Sequence, residues 1–198
     1  MLLLIRYDAA VAKPLIPVSA IQQHALELLT SEGPEALTTR RLAADLRIST
    51  KTLYAQVGSR DQLIRVLVAD YFAALKLDFH EAESWEATAL QWCLTLDTAL
   101  REHPFLTELM TVEDRTAVMK FVGELTKASV RAGIPRTRAT ECSRALVTLT
   151  INHAVAEVRA MRDPVHSRMS ADHSRRIEKN FRQTIRWILA GVRDETDP

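Results

Sequence analysis

Two short amphipathic segments between Leu37 and Leu63 constrain the fold of this chain more than any other part of the sequence. The first has apolar residues at helical spacing and threonines that can cap its start. The second has a serine–threonine cap and inward positions at Leu53 and Val57. Because Arg47 and Ile48 are all that remains for the bend, the sequence predicts a helix-turn-helix, a motif that places its second helix in the DNA major groove.

The charge of this segment supports the same interpretation. Between Thr38 and Arg60 five basic residues face a single acidic one, a local charge of +4 in a chain whose net charge is only +1. Phosphate binding depends on such local positive charge rather than on a basic total. An ordinary solvated helix pair is the alternative. The second helix offers an outward face of short donors, one cation, one amide and one methyl group: Thr50, Lys51, Thr52, Tyr54, Ala55 and Gln56.

Composition places the chain among helical globular proteins of a reducing compartment. Hydrophobic residues make up 47% of the 198, which supports a substantial core, and the five glycines leave room for long helices. Cys93 and Cys142 do not form a disulfide framework and are predicted to be buried thiols. No apolar run approaches the ~20 residues of a membrane span. These features predict a cytoplasmic location.

The helical pattern continues to the end of the chain, so the predicted fold class is all-α. Ser59 and Gln62 form a capping box that opens a fourth helix, which is apolar on two sides and is predicted to bridge two domains. The predicted organisation is a flexible arm (1–17), a DNA-binding domain (18–65), and an effector-binding and dimerisation domain (66–198). The remaining helices are predicted at 18–31, from 84 to about 103, around 105–110, at 113–131, from 135 to about 161, and at 174–192.

The N-terminal third resembles the tetracycline-repressor (TetR) family of bacterial transcriptional regulators. The resemblance extends from about Val18 to Phe72 and rests on Ala-Leu-Glu-Leu-Leu (25–29), Glu-Gly (32–33), Leu-Thr-Thr-Arg-Arg-Leu-Ala (37–43), Thr-Leu-Tyr (52–54) and Arg-Asp-Gln-Leu (60–63). The sequence departs from the family at Arg47, where glycine is usual in the turn. A positive φ there would be costly for arginine. Gln56 and Gly58 replace a usual histidine and lysine.

The resemblance implies roles for particular residues. Arg40 matches a base-reading arginine, and with Thr50, Lys51 and Gln56 it is predicted to reach base edges. The positions that hold the DNA backbone in the family are matched by Thr39, Thr52, Tyr54 and Arg60, although Tyr54 has a core position as its alternative.

The last helix is predicted to form a homodimer interface. Its apolar residues recur along one face, at Ile177, Phe181, Ile185 and Ile188. The resemblance implies a four-helix interface built from the last two helices of each copy. Two DNA-reading helices about 34–36 Å apart also require a two-fold partner. The alternative is that both helices are simply core.

The middle helices are predicted to enclose an effector pocket. Asn152 and His153 stand among apolar residues, where buried polar groups need partners that a ligand can supply. A core histidine paired within the protein is the alternative, and aromatic or methionine positions are often plain core. The further candidates are Trp92, His103, Phe105, Met110 and Met119. The sequence does not identify the ligand.

No enzyme motif is present. The six histidines show no metal-ligand spacing, and there is no glycine-rich phosphate loop, so no enzyme activity, metal or cofactor is predicted. The predicted function is a ligand-responsive regulator, a repressor that binds a palindromic operator as a homodimer and is released by a small-molecule effector. The alternative is a helical interaction or ligand-binding protein that has lost DNA binding, which only Arg47 favours.

Overall fold

A computed structural model describes residues 16–162 and 171–194, and every regular element in these ranges is a helix. The all-α prediction is confirmed. The helices are α1 (Val18–Glu32), α2 (Thr39–Asp45), α3 (Thr50–Val57), α4 (Arg60–Ala74), α5 (Trp85–Glu102), α6 (Pro104–Glu108), α7 (Val112–Val118), a 3-10 turn (Met119–Phe121), α8 (Val122–Arg131), α9 (Arg136–Arg162) and α10 (Ala171–Asp194).

The predicted helix starts are formed by local side-chain caps. Ser59 Oγ accepts from the Gln62 N–H at 3.2 Å, and the Ser59 N–H donates to Gln62 Oε1 at 2.8 Å, which completes the predicted capping box of α4. Ser84 Oγ accepts from the Ala87 N–H at 3.2 Å at the start of α5. Such caps satisfy backbone donors that a helix leaves free at its first turn.

The single helix predicted over 113–131 was wrong. The structure has α7, a 3-10 turn and α8 in this region. The physical reason is that the two halves pack on different partners: α7 contacts α4, whereas α8 contacts α9 and α5. A straight helix cannot follow both directions, and Gly123 next to the turn weakens the local preference for a continuous helix.

The core extends through the whole described structure. α4 buries Leu63, Ile64 and Phe72 among others, and it contacts α1 and α3 on one side and α7 on the other. It therefore bridges the helix-turn-helix and the larger helical part. α5 and α9 pack along one another, with α8 and α10 against them. One continuous apolar cluster joins residues from Ile21 to Leu189.

A second joint connects the two parts at Gly33. This residue ends α1 with φ +88, a left-handed conformation that favours glycine. A Cβ added there would lie 2.8 Å from Cε1 of Phe105 in α6. The turn after α1 thus depends on glycine both for its backbone conformation and for the approach of the Phe105 ring.

Most of the predicted N-terminal arm, residues 1–15, lies outside the described ranges. So does most of the segment between the last two predicted helices, residues 163–170. Among the helices that are described, none combines the length and apolarity that crossing a bilayer requires. The described residues also contain no group of three or more potential metal ligands.

Candidate nucleic-acid interface

The turn between α2 and α3 is built around Arg47. Its φ is +55, and the Arg47 N–H donates to the Ala44 carbonyl at 3.1 Å. The Ile48 N–H donates to the Ala43 carbonyl at 3.0 Å. These two hydrogen bonds form a Schellman motif, with arginine at the left-handed position that glycine usually occupies. The helix-turn-helix bend is therefore complete without glycine.

Helix α3 is held by one buried side chain and a cap at each end. Leu53 lies in the core. Ser49 Oγ accepts from the Thr52 N–H at 3.0 Å, and the Gly58 N–H donates to the Tyr54 carbonyl at 3.0 Å. Because Leu53 faces inward, the opposite side of α3 faces solvent. Tyr54 is 52% exposed, which excludes the core position that was its alternative.

The four residues predicted to read bases differ in solvent exposure and in their contacts within the protein. Arg40, Thr50 and Lys51 are exposed. In the described ranges Arg40 and Lys51 form no hydrogen bond or ion pair with other side chains. Gln56 is half-buried, and its Oε1 is shielded from solvent with no donor in contact.

The four residues predicted to hold phosphates are also in different settings. Tyr54 is exposed, while Thr39 and Thr52 are half-buried. Thr52 Oγ1 lies 2.8 Å from Ser49 Oγ. Arg60 is bound within the protein: its Nε donates to the Leu37 carbonyl at 2.6 Å and its Nη2 donates to the Pro34 carbonyl. Its guanidinium therefore fastens the loop between α1 and α2 to the start of α4.

Arg41 is likewise committed to a partner within the protein. It forms a bidentate salt bridge with Glu32, in which Nη1 donates to Oε2 at 2.8 Å and Nη2 donates to Oε1 at 2.7 Å. Its Nε lies 3.8 Å from Asp45 Oδ2. The hydrogen bond from Arg41 lowers the pKa of Glu32, and the same bond raises the pKa of Arg41. The local charge of +4 counted in the sequence thus overstates the free charge, which is centred on Arg40, Arg47 and Lys51.

The residues predicted to line the effector pocket lie in different places and do not line one common cavity. Trp92 is buried, with its ring centroid 6.4 Å from that of Phe121. The ring of His103 meets Tyr71 edge-on at 5.0 Å. Met110 is buried, and Asn152 is exposed on α9. Phe105 packs at Gly33, and Met119 lines a surface groove beside α8.

His153 is paired within the protein, as its alternative interpretation predicted. Its Nδ1 lies 2.8 Å from Asp97 Oδ1, and its ring stacks on Phe181 with centroids 3.9 Å apart. Asp97 is 3% exposed and also binds Arg101 Nη2 at 2.7 Å. The sequence analysis did not identify Asp97 as a partner of His153. The sequence feature that could have indicated it is an acidic residue between Leu96 and Leu100 on an otherwise apolar helix.

The predicted dimer stripe of α10 is mostly covered by its own chain. Phe181 is 4% exposed and Ile185 is fully buried, because this face packs on α5 and α9. The chain itself therefore covers two of the four residues predicted for the dimer interface. Ile177 and Ile188 are half-buried. The sequence analysis missed the outer face of α10, where Trp187 is 67% exposed.

The fold is a helix-turn-helix domain joined through α4 to a larger helical domain, and exposed cations flank the turn of the helix-turn-helix. Residues 21–67 match the family described as "Bacterial regulatory proteins, tetR family". These 47 residues, about a quarter of the chain, are similar to that family.

One curated relative and two solved structures are similar to this chain. An HTH-type transcriptional regulator of Saccharopolyspora erythraea is 28% identical over 97 residues, which are 49% of this chain and 41% of that regulator. The match thus spans about two fifths of the relative's length. Streptomyces coelicolor ActR in complex with actinorhodin has a TM-score of 0.63 and 19% identity, covering 92% of this chain and 99% of ActR.

The second structure is that of BioQ with its double-stranded DNA operator. Its TM-score is 0.62 at 19% identity, and the match covers 89% of this chain and 98% of BioQ. At such identities the two structures establish a shared fold. What ActR and BioQ bind is a property of those proteins.

Proposed function

We propose that this protein is a ligand-responsive repressor that binds a palindromic operator as a homodimer. The observation that supports this most directly is the outer face of α3, capped at both ends and placed beside a completed turn. Lys51 is exposed on this face, and Arg40 on α2 and Arg47 in the turn are exposed as well. Residues 18–65 would bind DNA, and residues 66–198 would bind the effector and the second copy.

The proposed DNA contacts divide into two groups. Arg40, Thr50, Lys51 and Gln56 would reach base edges in the major groove. Thr39, Thr52, Tyr54 and Arg60 would hold phosphates, which fix the position of the protein without reading sequence. Because Arg60 already donates to two backbone carbonyls, its contribution to phosphate binding would come through its remaining Nη1, which lies 3.3 Å from Asp61.

The proposed dimer uses the outer face of α10. Trp187 is the exposed large side chain of that face, with the half-buried Ile188 beside it and Ile177 nearer the start of the helix. A two-fold axis would place each Trp187 face against the same face of the second copy. Phe181 and Ile185 would support this interface from below, by holding α10 against its own chain.

The effector would act by changing the distance between the two α3 helices. A ligand that binds better to one spacing than to the other shifts the equilibrium between them. α4 offers a physical route, since it contacts both the helix-turn-helix and α7. The solved complexes of ActR with actinorhodin and of BioQ with its operator support both halves of this proposal by analogy.

An electrophoretic mobility shift on DNA from upstream of the protein's own gene tests the DNA interface. Arg40→Ala should weaken binding by ~1–3 kcal/mol and relax sequence preference at one position. Lys51→Ala should reduce affinity, and if it contacts a phosphate it should lower the salt slope by about one unit. Lys179→Ala, an exposed cation on α10, is the matched control and should change neither.

The same experiment separates the repressor from a ligand-binding protein without DNA affinity. Arg47 was the feature that favoured the latter, and the turn around it carries both hydrogen bonds of its motif. If no upstream duplex shifts at low salt, or if Arg40→Ala and Lys179→Ala behave alike, the DNA-binding proposal fails.

A further inference from the structure

A surface groove lies between α8 and the first turns of α9, with a volume of about 650 Å³. Five basic side chains line it: Lys120, Lys127, Arg131, Arg136 and Arg144. Among the described residues that line the groove there is no acidic side chain. We call this site the basic groove. Like charges gathered in one concave surface repel one another, and a bound anion relieves that repulsion.

The five basic side chains differ in whether they already have a hydrogen-bond or ion-pair partner within the protein. Lys127 pairs with Glu124 at 2.7 Å, and Arg131 pairs with Glu81. Lys120 Nζ donates to the Ala73 carbonyl at 2.7 Å. The side chains of Arg136 and Arg144, on α9, form no hydrogen bond or ion pair within the described ranges. These two guanidinium groups therefore offer their donors to a ligand.

A buried hydroxyl in the groove also has an unmet hydrogen bond. Thr126 lines the groove, and its Oγ1 is shielded from solvent with no partner. Thr140, in the same groove, donates instead to the Arg136 carbonyl at 2.8 Å. A buried polar group without a partner is costly. An acid oxygen of a ligand would accept from the Thr126 hydroxyl.

The rest of the lining is apolar and open. Met119, Val122 and Val130 contribute apolar surface beside the cations. Gly123 also lines the groove, and no heavy atom lies within 4 Å of the place where its Cβ would stand. The volume falls in the range of ~300–1,000 Å³ typical of sites for drug-sized ligands. A ligand that fits must therefore combine an apolar body with acid groups.

We propose that the basic groove binds an elongated, amphipathic organic anion with two acid groups, carboxylate or phosphate. Arg136 and Arg144 are eight residues apart on α9, which corresponds to a rise of about 12 Å along the helix. Two acid groups at that separation can each meet one guanidinium while the apolar body lies on Met119 and Val130. Arginine is well suited to such acid groups because it donates two parallel hydrogen bonds.

This site differs from the buried pocket that the sequence predicted, with Met119 as their one shared residue. Only the statement that its ligand acts as the effector rests on the proposed function. Binding itself can be measured without DNA, so the failure of one is distinguishable from the failure of the other.

Fluorescence titration of the full-length protein with bis-anilinonaphthalene disulfonate tests the proposal. This probe has an apolar body and two acid groups. The variant Arg136→Ala/Arg144→Ala should raise its Kd at least about tenfold, because two charge-assisted contacts are lost. The matched control Lys76→Ala/Lys179→Ala removes the same charge from exposed sites elsewhere and should leave the Kd unchanged. Arg136→Lys/Arg144→Lys should give an intermediate Kd.

Three further measurements make the result decisive. Circular dichroism melting should give the same midpoint for the arginine and lysine variants, since those side chains are exposed. Thr126→Val should weaken probe binding without changing the charge. An equal Kd in Arg136→Ala/Arg144→Ala and in the control would overturn the proposal. Displacement of the probe by a DNA duplex of unrelated sequence would also overturn it, because the groove would then be a nucleic-acid surface.

If the occupant is the effector, saturating probe should weaken operator binding by the wild-type protein and not by Arg136→Ala/Arg144→Ala. Equal weakening in both would overturn the effector role, whatever the fluorescence titration shows. A shift assay with no operator binding at all would instead count against the proposed DNA function.

Discussion

Arg47 occupies a backbone conformation that is unfavourable for a residue with a side chain. With φ at +55 it costs about 1–2 kcal/mol more than a right-handed residue would. Arg47→Gly removes this strain but adds ~0.5–1 kcal/mol of unfolded-chain entropy. We expect a net gain in the free energy of unfolding of up to about 1 kcal/mol, measured by chemical denaturation.

Arg47→Ala is the matched control for this prediction, because it removes the guanidinium and keeps the strained φ. It should show no gain in stability. If alanine stabilises the protein as much as glycine does, charge repulsion rather than backbone strain is the cause. A reduced salt slope of DNA binding in both variants would show that the Arg47 guanidinium also contacts a phosphate.

We expect the thiols of both cysteines to be unreactive in the folded protein. Burial raises the pKa of Cys93 to about 12 and that of Cys142 to about 11. Since the thiolate is the reactive form, neither thiol should react with Ellman's reagent at pH 8 until the chain unfolds. Rapid reaction of the native protein would contradict the burial of both side chains.

The same shifts predict how stability depends on pH. A thiol whose folded pKa exceeds its unfolded value, ~8.5, stabilises the fold fully below that pH. This contribution is lost as pH rises from about 8.5 through the folded pKa values, about 11 and about 12. Denaturation of Cys142→Ala should therefore show a smaller fall in stability across that window than the wild-type protein. An identical fall would contradict the assignment.

At the scale of elements, Asp97 holds three helices together. It lies on α5, binds Arg101 on the same helix, and contacts His153 of α9, whose ring stacks on Phe181 of α10. Asp97→Ala should lower the free energy of unfolding by about 3 kcal/mol, since breaking a buried pair leaves a cation without its partner.

Glu178→Ala provides the comparison for Asp97→Ala. Glu178 and Arg182 have the same i, i+4 spacing, at 2.8 Å, but both are exposed. An exposed pair contributes about 0–1 kcal/mol, so this change should be nearly neutral by urea denaturation. Similar losses in the two variants would show that burial does not set the strength of the Asp97 contacts.

The joint at Gly33 connects the helix-turn-helix to the rest of the chain through Phe105. Gly33→Ala should be strongly destabilising, because it adds backbone strain at φ +88 and a contact of 2.8 Å with the Phe105 ring. Gly133 has φ +93 with no heavy atom within 4 Å of its Cβ position, so Gly133→Ala measures the strain alone. The difference between the two melting midpoints reports the contact. Equal midpoints would mean that the Phe105 ring moves aside at no cost.

At the scale of the whole molecule, the proposed dimer depends on the outer face of α10. Trp187→Asp should give a folded monomer, because it places a charge in a desolvated interface without touching the core. Phe181→Asp should instead unfold the chain, since Phe181 is buried in its own monomer and stacks on His153. Light scattering at micromolar concentration, with circular dichroism beside it, distinguishes these outcomes.

The wild-type protein sets the reference for that experiment. A scattering mass near the 22.3 kDa of one chain would exclude the dimer. It would also exclude the proposed mechanism, in which the effector changes the distance between the two α3 helices of a dimer. If Trp187→Asp remains dimeric, the interface lies elsewhere. Loss of operator binding in a folded Trp187→Asp monomer would follow from the weak hold of a single half-site.

The sequence by itself determined the local architecture, including the helix-turn-helix and the caps at Ser49, Ser59 and Ser84. These features depend on residues three or four apart, whose interactions any helix start reproduces. For the same reason the sequence correctly indicated that Arg47 stands in the turn.

Tertiary structure decided which of the predicted side chains remain available. Arg41 is taken up by Glu32 and Arg60 by the Pro34 and Leu37 carbonyls, partners 9, 26 and 23 residues away. Periodicity indicated an apolar stripe on α10 but not whether its own chain or a second copy covers it. In the structure, α5 and α9 pack on Phe181 and Ile185, whereas Ile177 and Ile188 are half-buried and Trp187 is exposed. Such outcomes depend on contacts between distant segments, which local spacing does not encode.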